Sequence, residues 1–276
     1  VRSSGAWRAD GRLQEDAAMT ASQALEDGRA AFERGAWSEA YARLAVLDGR
    51  APLDPDDLDR LATAAYLIGE DAASDQARTR AHARFLERGD AIRAARSAFW
   101  LVFALTDRPG QQAQAAGWLA RAQRLLADVT EPCVEQGWLL CASARQRAAE
   151  GDVVSAHARF AEAAQIAARF GNRDLLALAR HGEGRALLMM NQTTAGLTLI
   201  DEVMVAVTGG EIAPMVAGAV YCSVISACHS LFDLGRAQEW TTALQGWCTS
   251  HPDLVPFRGY CLVRRSELMQ LHGAWQ

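Results

Sequence analysis

"GRAAFERGAWSEAYARL", residues 28–44, places small residues and one large aromatic at set intervals around a glycine. Ala24, Gly28, Ala31 and Phe32 fall on one stripe of a helix, and Ala40, Leu44 and Leu47 on one stripe of the next. The spacing predicts two helices that reverse and cross closely. Gly28 and Ala40 are small where the crossing is tight, Gly35 lets the chain turn, and Trp37 covers the end of the crossing.

The same turn recurs along the chain. Gly69 in "LIGEDA" follows Gly35 by 34 residues, and further turns fall at Gly110 in "RPG", Gly151 in "AEGD", Asn191 in "MNQT", Gly235 in "FDLGR" and Gly273 in "HGAW". From Gly110 to Asn191 the period is about 40 residues, a self-similarity that marks stacked helix pairs. Leu119 and Ala122 take the second-helix positions in the third unit, as Phe160 and Ala163 do in the fourth. Residues 28–40, with Pro52 ending the unit, resemble the tetratricopeptide repeat, a 34-residue helix–turn–helix. The resemblance implies an all-α, right-handed superhelix of antiparallel helix pairs. About six and a half pairs would fill residues 19–276, with residues 1–18 a loose arm or capping helix.

Segment ends agree with this division. "APLDPDDLDRL" (51–61) starts a helix with Asp–Pro and puts Asp56 and Asp57 in its first turn, where negative charge meets the helix dipole. "ARFGNRD" (168–174) closes one helix at Gly171 and opens the next near Arg173. "AVTGGEIAP" (206–214) carries two glycines and is expected to permit a change of superhelical angle near 208–213. "HGAW" ends one repeat helix with no partner helix after it, which points to a fragment of a longer protein or to cover by another chain.

Composition narrows the classes. Half of the chain is apolar, only 7% is aromatic, and there are 7 prolines, which suits closely packed helices. The formal charge is −5, without a basic block, so no nucleic-acid contact is expected from this chain alone. The six cysteines form no C-x-x-C pair and read as reduced thiols of a cytoplasmic protein. The apolar stretch from Pro214 to Phe232 is broken by Ser, His, Gly and Cys and reads as a core helix, not a membrane span. "AVYCSVISACHSLF" (219–232) must be covered nearly all round, and with "LLMMN" (187–191) it suggests a homo-oligomer joined through the C-terminal half.

No enzymatic motif of the G-x-x-x-x-G-K-[ST], H-E-x-x-H or G-x-S-x-G kind is present, and the histidines do not cluster at metal-ligand spacing. A non-enzymatic binding role is therefore expected, without cofactor or metal. Positions 13, 10, 6 and 3 before each turn face the inner side of such a stack. They select Tyr66, Trp100, Trp138, Cys141, Arg145, His181, Arg185 and Leu188, then Cys222, Ser226 and His229 (reckoned from Phe232), then Tyr260, Val263 and Glu267. Arg145 and Arg185 suit an acidic group, and Trp100 and Trp138 offer flat contact area. Each also has a plain packing role open to it, as do Arg185 and His181 beside Gly182 and Gly184. Cys222, Ser226 and His229 share a helix face that would suit a nucleophile, but the sequence shows no carboxylate to orient the histidine.

Longer blocks carry a closer likeness. "SAFWLVFAL" (97–105), "GWLARAQRLL" (117–126), "ARHGEGRALL" (179–188), "VYCSVISACHSLFDLGRAQEWT" (220–241) and "HPDLVPFRGYCLVRRSELMQLHGAW" (251–275) resemble the helical-repeat region of bacterial LuxR-type regulators. In that family the region precedes a C-terminal helix-turn-helix, which this sequence does not contain. The resemblance implies a sensing domain that takes a small molecule, peptide or partner protein on its concave face. A stand-alone adaptor, or a small-molecule-binding or hydrolytic protein, are the alternatives.

Overall fold

The computed structural model describes residues 21–271, leaving aside the side chains of residues 260, 261, 264, 265, 268 and 271. The expected N-terminal arm and the turn at Gly273 lie outside the described residues. All regular structure among the described residues is helical. Helix α1 spans 21–33, followed by α2 (Trp37–Asp48), α3 (Pro55–Leu67), α4 (Asp71–Glu87), α5 (Ala91–Thr106), α6 (Gln112–Ala127) and α7 (Val134–Ala149). Then come α8 (Val153–Phe170), α9 (Arg173–Met189), α10 (Thr193–Thr208), α11 (Pro214–Ser230), α12 (Leu234–Ser250) and α13 (Pro256–Leu271).

The turns inside each pair share one backbone signature. Gly35, Gly69, Gly110, Gly151, Asn191 and Phe232 all have positive φ, and from Gly69 onward they recur every 40 or 41 residues. The sixth turn is therefore at Phe232, not Gly235. Gly235 lies inside α12, because the Asp233 carboxylate accepts a hydrogen bond from the Arg236 N–H (3.1 Å) and starts that helix two residues earlier. Asp90, Asp152 and Asn172 cap α5, α8 and α9 in the same way. Gly89, with φ +72°, makes a further turn between α4 and α5 that the repeat spacing does not mark.

Counting from these turns exposes the core. Five residues on, Ala40, Ser74, Ala115, Ala156, Gly196 and Ala237 are all buried. Nine residues on stand Leu44, Arg78, Leu119, Phe160, Ile200 and Thr241, also buried. Small residues at the first position let the two helices of a pair approach, and larger ones at the second fill the space beside the crossing. Gly28 and Gly184 do the same work from the facing helix: a Cβ at Gly28 would meet Leu44 at 3.1 Å, and one at Gly184 would meet Ile200 at 2.8 Å.

The chain divides into two compact units at Ala81/His82, within α4. In the first unit α2 packs on α3. Asp57 is buried and accepts from Arg29 Nε (2.8 Å) and Nη2 (2.7 Å) and from Arg60 Nη1 (3.1 Å). Arg78, in a slot that holds leucine, phenylalanine or isoleucine in most other pairs, bonds Asp59 (2.9 Å) and Thr63 (3.0 Å). Its buried charge is thereby compensated.

In the second unit α5 pairs with α6, α7 with α8, α9 with α10 and α11 with α12. The first helices also touch in series, α5 to α7 to α9 to α11 to α13. One contact repeats between them: a Cβ at Gly137 of α7 would meet Leu175 of α9 at 2.6 Å, and one at Gly218 of α11 would meet Phe257 of α13 at 2.4 Å. The second unit is thus a helical-repeat stack. No described helix is long and apolar enough to cross a membrane.

Candidate functional site

The run of first helices in the second unit brings several of the expected residues together. Trp100 of α5 and Trp138 of α7 have ring centroids 5.4 Å apart, with Phe99 and Phe103 completing the aromatic group. Arg145, two turns further along α7 than Trp138, reaches Asp107 at the end of α5 with bonds of 2.8 and 3.1 Å. His181 and Arg185 stand one helical turn apart on α9, so they share a face. The charges of Arg185 and Arg145 both act on the His181 ring. Burial, helped by the charges of Arg185 and Arg145, holds the His181 imidazole down at about 3.

Accessibility divides this group. Trp138 and Cys141 are each 1% exposed, so they fill the interior between α5, α7 and their neighbours and present no surface to a ligand. His181 is buried as well, and its Nε2, like the Trp138 Nε1, has no hydrogen-bond partner among the described residues. Burial pushes the Cys141 thiol far up, so it is not a reactive thiolate. Trp100, Arg145 and Arg185 remain half-buried and reachable. Glycines explain why α9 sits so close here: a Cβ at Gly182 would meet the Phe160 ring at 2.3 Å.

The other expected residues lie elsewhere. Tyr66 belongs to the first unit, half-buried near the end of α3. Cys222, Ser226 and His229 are half-buried along α11. The carboxylate that the sequence does not reveal beside His229 is Glu267 of α13, with Nδ1 to Oε2 at 3.9 Å, an ion-pair distance too long for a hydrogen bond. Neighbouring Cys228 has its thiol pushed up to about 11, chiefly by burial, the opposite of an activated nucleophile. Val263 is exposed, Glu267 and Leu188 are half-buried, and the Tyr260 side chain lies outside the described residues. Cys133, Cys141, Cys222, Cys228 and Cys248 are free thiols, and no described His, Cys, Asp or Glu residues group as a metal site.

A second feature escapes the inward-position rule altogether. A groove of about 400 Å³ lies between α6 and α8 with α7 beneath it, lined by residues that include Leu126, Leu139, Leu140, Arg159, Glu162 and Ile166. On α7 its lining residues Gln136, Leu139, Leu140 and Ser143 point away from Trp138, Cys141 and Arg145 at about 100° per residue. Period and turn spacing carry no signal for it, because it depends on how far apart two second helices stand.

No protein-family model matches this chain, and a comparison with curated proteins finds no match.

Proposed function

We propose that the chain is a tetratricopeptide-like sensing domain of a LuxR-type regulator, binding an acidic peptide or partner segment along the first helices of the second unit. The observation that carries this reading is that Trp100, Arg145 and Arg185 are half-buried on consecutive first helices that touch in series, with Arg145 and Arg185 both acting on His181. The Arg145–Asp107 pair does not oppose it. Arg145 is 38% and Asp107 76% exposed, and such surface pairs contribute only about 0–1 kcal/mol, so an incoming carboxylate can replace Asp107. Trp100 supplies an aromatic face about two helical turns along from Arg145, a separation an extended peptide spans, which suits acidic sequences with an apolar or aromatic residue a few positions away. The role is one of recognition, without chemistry on the ligand.

Selection from a random dodecapeptide display library tests the proposal. The parent protein should enrich peptides rich in Asp and Glu, and an Arg145→Ala/Arg185→Ala double variant with unchanged circular dichroism should not. Equal enrichment by both proteins, or none by the parent, overturns it. The regulatory half of the reading has its own test in the gene. A helix-turn-helix encoded after Gln276 supports it, whereas a stop codon there favours the stand-alone adaptor.

A further inference from the structure

We propose that the groove between α6 and α8 is a second binding site, for an α-amino acid with an apolar side chain. The α6–α7 connection runs from Asp128 to Cys133 and includes Pro132, while α8 and α9 are joined through Gly171 and Asn172 alone. Along this stretch α8 lies closely along α9, whereas α6 stands off from α7. A volume of about 400 Å³ results, at the small end of the ligand-site range of roughly 300–1,000 Å³.

The lining combines two kinds of surface. Leu126, Leu139, Leu140 and Ile166 form the apolar part, and Leu140 and Ile166 are only half-buried. Arg159 and Glu162, three residues apart on α8, supply opposite charges on the same wall. Residues at this spacing are neighbours on a helix. Yet no ion pair within 4.0 Å joins these two to each other or to another charged group among the described residues. Arg159 gives one hydrogen bond, from Nη1 to Ser143 Oγ at 3.3 Å, and keeps further donors for a ligand.

Charge complementarity selects the occupant. A simple carboxylate would meet Arg159 but also the repulsion of Glu162, and a simple amine would meet the reverse. A zwitterion satisfies both: its carboxylate takes the guanidinium, its ammonium takes the Glu162 carboxylate, and its side chain covers Leu140 and Ile166. The site lies on the face of α7 opposite to Arg145, so it is separate from the peptide surface proposed above.

Isothermal titration of the whole chain with L-leucine, 4-methylpentanoate and 3-methylbutylamine tests this. L-Leucine should bind saturably at up to millimolar concentration, and each of the two analogues at least tenfold more weakly. Arg159→Ala and Ile166→Trp should weaken L-leucine at least tenfold with the helical circular dichroism retained. Glu162→Gln is exposed, so it should fold normally. It should weaken L-leucine and strengthen 4-methylpentanoate, an inversion that loss of structure does not produce. Absence of L-leucine binding, equal binding of 4-methylpentanoate by the parent, or no inversion in Glu162→Gln overturns the proposal. Because Arg145 and Arg185 are intact throughout, peptide selection by the same variants reads the other surface independently.

Discussion

Phe232 occupies a place that glycine or asparagine holds in the five preceding turns, at φ +55°, with 82% of its surface exposed. For a residue with a Cβ, left-handed backbone costs roughly 1–2 kcal/mol, and this ring recovers little of it by burial. Phe232→Gly should therefore raise the urea midpoint at unchanged m-value by about 1 kcal/mol of stability, less the greater chain entropy of glycine. A fall would show that the ring contributes contacts. His181 acts in the opposite sense, through protonation. Its folded value of about 3 lies below the ordinary value of 6.5, so below pH 6.5 the unfolded chain binds a proton that the folded chain refuses. The stability associated with His181 is complete above pH 6.5 and is lost as pH falls toward 3. His82, also buried and also lowered, adds in the same direction. In His181→Leu the loss of stability between pH 7 and 4 should be shallower than in the parent, by an amount measured from paired denaturation curves. Parallel curves would mean that His181 already takes up a proton in the folded protein.

At the scale of helices, the meaning of a glycine depends on what stands opposite it. Gly117 lies on α6 with nothing within 4 Å of where a Cβ would be, whereas Gly182 lies on α9 against the buried Phe160 ring. Gly117→Ala should stabilise by up to ~1 kcal/mol through helix propensity. Gly182→Ala gains the same propensity but overpacks the α8–α9 contact, which costs about 1–3 kcal/mol, so it should destabilise. Adding Phe160→Leu should return part of that loss, and its failure to do so would place the strain elsewhere. These positions also show what the sequence makes legible. Turn spacing is readable because a left-handed turn residue favours Gly or Asn, and it marks five of the six turns within pairs to a residue; at Phe232 no such residue stands, and the glycine nearby is Gly235. The inner positions are readable as a face, but their exposure is not. Trp138 and Trp100 have the same sequence credentials, and only the approach of α5 to α7 decides that the first is interior and the second half-open. Arg78 and Asp57 defeat the pattern in another way, since a charge in a core slot looks like an exposed residue until its partners are placed around it. The groove beside Arg159 is invisible for a third reason: it depends on the separation of α6 and α8, which no residue pattern within either helix encodes.

Across the second unit, neighbouring repeats are tied by polar contacts about one period apart. Arg96 meets Glu135 (3.4 Å), Asp107 meets Arg145 (2.8 Å), Arg173 meets Glu211 (3.2 Å), and Asp201 meets Arg236 (3.0 Å). Such pairs fix the register in which one repeat stacks on the next more than they add stability, because most are exposed. Packing between first helices supplies the rest, with Leu175 seated on Gly137 and Phe257 on Gly218. If each repeat leans only on its neighbours, damage at one end should stay there. Phe257→Ala empties the Gly218 seat and also removes a contact to Trp247, whose ring centroid is 5.9 Å from that of Phe257. A large buried aromatic cut to alanine costs about 3–5 kcal/mol where it is locked in place. Hydrogen exchange should accordingly show the amides of α11, α12 and α13 losing protection in Phe257→Ala, while those of α7, α8 and α9 keep nearly all of theirs. The contacts between α9 and α11 set how far the loss spreads, so α10 should show an intermediate change. An equal loss from α5 to α13 would mean that the unit unfolds as one cooperative body, and the nearest-neighbour account of its stability would fail.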